Sequence, residues 1–118
     1  MAHGILPVEH ARAQPSPRVL VADADDDTRA LYRLSLRLAG LDVIEASDGR
    51  AALTQALVEP PALVVTDIAL PLVNGYALCD ILRRDTATRT VPILVVTSET
   101  RPTELKRMRF TAPSAIAN

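Results

Sequence analysis

The sequence has few of the residues that build cysteine-based sites or aromatic stacking surfaces. Its 118 residues include one cysteine and no tryptophan, and aromatic residues make up 3% of the chain. A single cysteine, Cys79, excludes an internal disulfide and a zinc site built on cysteines. So few aromatic side chains argue against stacking on bases. No pair of helical patterns resembles a DNA-binding motif either, so we expect no direct nucleic-acid partner.

Histidine is missing from the part of the chain that we expect to fold. Both histidines, His3 and His10, precede Arg18 and lie in a proline-rich stretch, residues 1–17, which we interpret as a flexible leader. Ser-His-Asp and Cys-His catalysis need an imidazole base, so neither can be assembled in the folded body. The apolar runs are too short to span a membrane, and the leader does not resemble a secretory signal. We therefore expect a cytoplasmic protein.

The remaining residues supply one domain with an apolar core. Hydrophobic residues make up 48% of the chain and charged residues 23%, with a net charge of −1. Short apolar segments, typical of buried strands, alternate with patterns of helical period. The strand segments are residues 18–22, 41–46, 62–67 and 91–97. The order β-α-β-α-β-α-β-α predicts an α/β fold with a doubly wound parallel sheet.

Helical patterns follow each of these strand segments. Leu31, Leu34 and Leu38 recur at spacings of three and four and predict a helix that ends near Gly40. The second helix is expected to end at residue 59, with alanines and leucines on its inner side, and the third to cover residues 76–82. A fourth helix, rich in basic residues that include Arg109, is expected from about residue 100.

Polar residues end three of the predicted strands. Asp23, Asp67 and Thr97 stand at these ends, and the carboxyl ends of parallel strands meet at one edge of a sheet. Carboxylate oxygens suit Mg²⁺, and a carboxylate beside that cation can attack phosphorus. A threonine hydroxyl nearby can donate a hydrogen bond to a phosphoryl oxygen. The three residues together suggest phosphoryl chemistry on an aspartate.

Residues 18–118 resemble the receiver domain of two-component response regulators. The matching pieces are residues 19–23 with Arg29, residues 45–49, residues 64–67 followed by Leu70-Pro71 and Asn74-Gly75, and residues 95–98. Each piece alone is weak, but their order, spacing and strand placement agree. The resemblance implies a flavodoxin-like, CheY-like α/β fold.

The resemblance also implies roles in signal transduction. Asp67 would be the phosphoacceptor, receiving a phosphoryl group from a histidine kinase or a phosphotransfer protein. Asp23, Asp67 and the backbone carbonyl of Ala69 would hold Mg²⁺, and Thr97 would be the switch hydroxyl. The chain would be a phosphoprotein of a phosphorelay, not an enzyme.

Two departures from the family pattern bear on this function. The family places a second acid after the first strand, where this chain has Ala24, so we expect weakened Mg²⁺ binding. Asp25 could reach the ion through water, although acids there more often begin a helix. The family also ends a fifth strand with a lysine, and residues 112–118 contain none. We therefore expect a receiver domain with its last β-α unit incomplete.

An incomplete last unit has a packing consequence. It would leave one sheet face partly bare over the first and third strands. We therefore predict dimerisation, exchange of elements or low stability, with a homodimer forming through that face or through the fourth helix.

Two other functions remain open. A degenerate receiver would dock partners without phosphorylation, which Ala24 and the missing lysine favour. A phosphohydrolase of the haloacid dehalogenase type is suggested by Asp23-Ala24-Asp25 and by Val95-Val96-Thr97. That alternative leaves Asp67 and the motifs after it unexplained.

Overall fold

The computed structural model describes residues 16–96 and the backbone of residues 108–111. Thr97, residues 1–15 of the predicted leader, and residues 100–107 of the predicted fourth helix lie outside the described residues. The strands are β1 Arg18–Ala22, β2 Asp42–Ala46, β3 Leu63–Asp67, β4 Ile93–Val96 and β5 Met108–Thr111. The helices are α1 Asp26–Leu38, α2 Gly49–Val58 and α3 Gly75–Arg84.

The strands form one sheet in the order β2-β1-β3-β4-β5. The first four are parallel, as predicted. β5 runs antiparallel to β4 and pairs Arg109 with Val95. The prediction that Arg109 belongs to a helix was therefore wrong. Pairing with β4 satisfies backbone groups that an edge strand would leave exposed, and that gain outweighs the local helical pattern.

Each described helix begins at a side chain that caps its free backbone N–H groups. The caps are Asp25, Asp48 and Asn74, and each accepts a hydrogen bond from the backbone N–H three residues later. Gly40 follows the end of α1 with φ of 90°, in the left-handed region that favours glycine. The end of α1 near Gly40 and a helix start at the acids after β1 were predicted, whereas Asn74 was expected only to mark a turn.

The core has two layers, one on each face of the sheet, which is the predicted doubly wound arrangement. Alternate residues of a strand point to opposite faces, so Leu20 and Val64 join the layer under α2 and α3. Val19 and Val21 join the opposite layer, against which Tyr32 and Leu36 of α1 pack.

Among the described residues, the sheet face over β1 and β3 is covered, contrary to the prediction. Val19, Val21 and Val65 are buried on the α1 side of β1 and β3. Three exposed leucines lie instead on α1, where Leu31, Leu34 and Leu38 face solvent. The leucine repeat predicted the helix correctly, but Tyr32 and Leu36 form its packed side. Leu57, expected on the inner side of α2, is also exposed.

Candidate functional site

Asp23 and Asp67 lie side by side at the carboxyl edge of the sheet. Ala22 pairs with Thr66 across β1 and β3, so the next residue of each strand is an aspartate. The Asp23 amide continues the ladder by donating to the Ala46 carbonyl at 3.0 Å. Both aspartates are only 6% exposed. Burial of two carboxylates is costly unless it is compensated, so this edge is the candidate functional site.

The two carboxylates share the α1 side of the sheet, because each lies two residues beyond a valine of that layer. Tyr32 packs against the same layer. Its phenol pKa is raised, first by burial and then by the negative charges of Asp23 and Asp67. Sequence reasoning missed Tyr32 as a neighbour of the site. No signal in the sequence could have found it, because the helical period does not say which side of α1 packs against the sheet.

The loop after β3 is held close to Asp67. The Ile68 amide donates to Oδ1 of Asp67 at 2.8 Å, and the Gly75 amide donates to the Ile68 carbonyl at 2.9 Å. A Cβ at Gly75 would meet the Asp67 carbonyl oxygen at 2.3 Å, so a glycine is needed for this approach. Ala69, whose carbonyl was predicted as a metal ligand, lies in this loop two residues after Asp67. Leu72 in the same loop has φ of 71°.

Arg29 ties the start of α1 to the edge of the sheet. Its Nη1 donates to the backbone carbonyl of Asp23 at 2.8 Å, and its Nε donates to Glu45 at 3.0 Å. Glu45 also accepts from Nη1 of Arg33 at 2.9 Å. These bonds hold the pKa of Glu45 below its usual range, with Arg33 the largest cause. Arg29 thus positions Asp23 through the backbone of that residue.

Asp25 serves as the cap of α1. Its Oδ2 accepts from both the amide and the hydroxyl of Thr28, at 2.8 and 2.7 Å. Its own amide donates to Oδ1 of Asp23 at 2.8 Å. Asp26 and Asp27 occupy the first helical turn, where negative charge is favourable. The interpretation of these acids as helix-starting residues is confirmed, and Ala24 beside them is exposed.

The described residues fit a magnesium ion held by few protein ligands. Within residues 16–96 and 108–111, no group of three or more His, Cys, Asp or Glu side chains could hold a metal. Mg²⁺ is commonly bound through one or two carboxylates and keeps several waters. Asp23 and Asp67, buried at adjacent strand ends, are the side chains that would hold such an ion, and the carbonyl of Ala69 is the further ligand that the family resemblance implies. β4 ends at Val96, whose Cα pairs with Asp67, and the predicted switch residue Thr97 lies outside the described residues.

Comparisons with family models, curated proteins and solved structures all point to the same family. Residues 19–113 match the family model described as the response regulator receiver domain. The DNA-binding dual master transcriptional regulator RpaA of Synechocystis is 38% identical over 82 residues, which are 70% of this chain and 34% of that protein. The alkaline phosphatase synthesis transcriptional regulatory protein PhoP of Bacillus subtilis is also 38% identical over 82 residues, 70% of this chain and 33% of that protein. The chain therefore spans about a third of the length of these relatives.

Solved structures agree with the sequence relatives. The chemotaxis response regulator CheY4 of Vibrio cholerae is 30% identical with a TM-score of 0.69, over 74% of this chain and 72% of that one. A putative response regulator from Chloroflexus aurantiacus is 34% identical with a TM-score of 0.69, over 76% and 73% of the two chains. In the part of the chain that the structure describes, every helix is too short or too polar to cross a membrane.

Proposed function

Because this chain belongs to the response regulator receiver domains of two-component systems, we propose that it accepts a phosphoryl group on Asp67 in the presence of Mg²⁺. The observation that carries the proposal is the pair of buried carboxylates, Asp23 and Asp67, at adjacent strand ends. The family match also favours a receiver over the phosphohydrolase alternative. Receiver domains interact with histidine kinases or phosphotransfer proteins, and we propose such a donor in the cytoplasm here.

The proposed chemistry is the transfer of one phosphoryl group. A carboxylate oxygen of Asp67 attacks phosphorus, the P–N bond to the donor histidine breaks, and an acyl phosphate forms on Asp67. The histidine nitrogen keeps the electron pair of the broken bond. A bound Mg²⁺ would neutralise charge on the transferring group. Asp23 would hold that ion, and Arg29 would hold Asp23 in place. We propose that the chain itself is the acceptor and turns over no separate substrate.

Incubation with acetyl phosphate and Mg²⁺ tests the proposal directly. The intact mass of the protein should increase by one phosphoryl group, and the bound phosphate should be stable in acid and labile in base. Asp67→Asn should abolish incorporation of phosphate. Asp27→Asn, which removes an exposed acid in the first turn of α1, should leave incorporation unchanged. Incorporation that persists in Asp67→Asn would overturn the assignment of the acceptor.

A degenerate receiver is the second candidate, and Ala24 is the observation that favours it. The site offers two acidic side chains where the family pattern has a third, so Mg²⁺ affinity should be low. Ala24→Asp should tighten Mg²⁺ binding, and Ala24→Asn, of similar size but neutral, should do so far less. Calorimetric titration with MgCl₂ distinguishes them. Failure to incorporate phosphate at any Mg²⁺ concentration, in both wild type and Ala24→Asp, would support docking without phosphorylation.

A further inference from the structure

The largest exposed apolar stripe among the described residues runs along α1. Leu31, Leu34 and Leu38 are 66%, 57% and 80% exposed, although leucine normally contributes to cores. We call these three residues the leucine face. They recur at spacings of three and four, the pattern by which one helix packs against another. Tyr32 and Leu36 on the other side of α1 already contact the sheet.

Charges at the two ends of this face make it complementary to itself. Asp27 is exposed one turn before Leu31, and Arg37 is exposed beside Leu38. Within the described part of the chain neither side chain takes part in an ion pair, whereas Arg29 and Arg33 do. In the residues that the structure describes, α1 thus carries an exposed negative charge near its start and an exposed positive charge near its end, neither of them in an ion pair.

We propose that a second copy of this chain covers the leucine face, with the two α1 helices antiparallel across a two-fold axis. The axis would pass midway between Leu31 and Leu34, so each would contact the other in the partner. At 1.5 Å rise per residue, Asp27 lies about 8 Å to one side of this midpoint and Arg37 about 7 Å to the other. Asp27 of each copy would therefore stand level with Arg37 of the other, as a self-complementary interface requires.

The antiparallel arrangement also opposes the two helix dipoles favourably, whereas a parallel pair would place the like charges of Asp27 together. The contact is small, because a helix of 13 residues is about 20 Å long. It is therefore below the size of a standard stable interface, and we expect a dimer that forms only at high concentration. The proposed dimer therefore uses α1, not the sheet face or the fourth helix.

Sedimentation velocity over about 5 to 500 µM tests the proposal, since weak dimers dissociate within such a range. The mass should rise from 12.7 kDa towards twice that value. Leu34→Glu should weaken the dimer at least tenfold, while Leu72→Glu, which places the same charge at an exposed leucine in the loop after β3, should not. Circular dichroism melting confirms that each variant folds.

A charge-exchange pair tests the register. Asp27→Arg and Arg37→Asp should each dimerise more weakly alone, because each creates two like-charged pairs across the axis. An equimolar mixture of the two variants should assemble again, because every pair is then of opposite charge. Asp67→Asn should dimerise like the wild type, so this outcome is independent of phosphorylation.

Two results would overturn the proposal. One is a monomer throughout the concentration range, or a dimer whose dissociation constant is unchanged by Leu34→Glu and by both charge variants. The other is a monomer whose melting temperature falls sharply in Leu34→Glu, because the leucine face would then be covered by the chain's own residues in solution.

Discussion

Replacement of Gly49 by alanine should damage the fold more than replacement of Gly40, for a reason that the structure makes quantitative. A Cβ at Gly49 would lie 1.6 Å from the carbonyl oxygen of Val73 and 2.5 Å from its carbonyl carbon. Ordinary contact begins at 3.4 Å, so backbone must move by about 1.8 Å. The moving segment is the loop that follows Asp67, and the Gly49 amide donates to Pro71 in it at 3.0 Å.

The expected cost combines three effects. Overpacking in a closed contact costs about 1–3 kcal/mol, and the disturbed hydrogen bond adds about 1 kcal/mol. Alanine recovers up to about 1 kcal/mol through its higher helix propensity at the start of α2. Because the clash is with backbone atoms, the overpacking cost lies at the upper end of its range. We therefore expect Gly49→Ala to lower the free energy of unfolding by about 3–4 kcal/mol.

Gly40 supplies the matched control, because it has the opposite combination of properties. Its φ is 90°, but nothing lies within 4 Å of a Cβ built there. Gly40→Ala should cost about 1 kcal/mol from backbone strain alone. Asparagine tolerates that conformation, so Gly40→Asn should recover part of the loss, whereas Gly49→Asn should recover none.

Urea unfolding followed by circular dichroism measures these differences. The reasoning is refuted if Gly49→Ala is no less stable than Gly40→Ala. It is also refuted if asparagine is more stable than alanine by the same amount at both positions, because steric contact at Gly49 and backbone strain at Gly40 would then not be distinguished.

Three further results are expected. Because Leu72 has φ of 71°, Leu72→Gly should be more stable than Leu72→Ala by about 0.5–1 kcal/mol. Urea unfolding that finds the alanine variant more stable than the glycine variant would contradict this. The pKa of Glu45 is lowered in the folded state, so its charge stabilises the fold above its unfolded pKa, and this stabilisation is lost as pH falls through the folded pKa. Glu45→Gln should therefore lower the free energy of unfolding by about 1 kcal/mol at neutral pH and by almost nothing in acid, as urea unfolding at the two pH values would show. In a Tyr76→Phe background, absorbance titration of Tyr32 should give a raised pKa that falls in Asp67→Asn, and an unchanged pKa would show that the charge of Asp67 does not reach the phenol.

The sequence by itself determined the order of strands and helices as far as β4, the residues that begin α1 and α2, and the two aspartates at neighbouring strand ends. These features depend on local rules: Asp25 and Asp48 cap helices because their short side chains reach the backbone amide three residues later. Parallel strands joined by helices then bring Asp23 and Asp67 to one edge, whatever the details of packing.

Only the tertiary structure decided which side of each element is buried. Both the leucine repeat of α1 and the side with Tyr32 and Leu36 offer large apolar surfaces, and helical period alone cannot say which side contacts the sheet. For the same reason, the sequence did not reveal that Tyr32 lies near the two carboxylates. The strand at Met108–Thr111 was decided by the open edge of β4, because a segment of mixed propensity adopts the conformation that satisfies the backbone groups beside it.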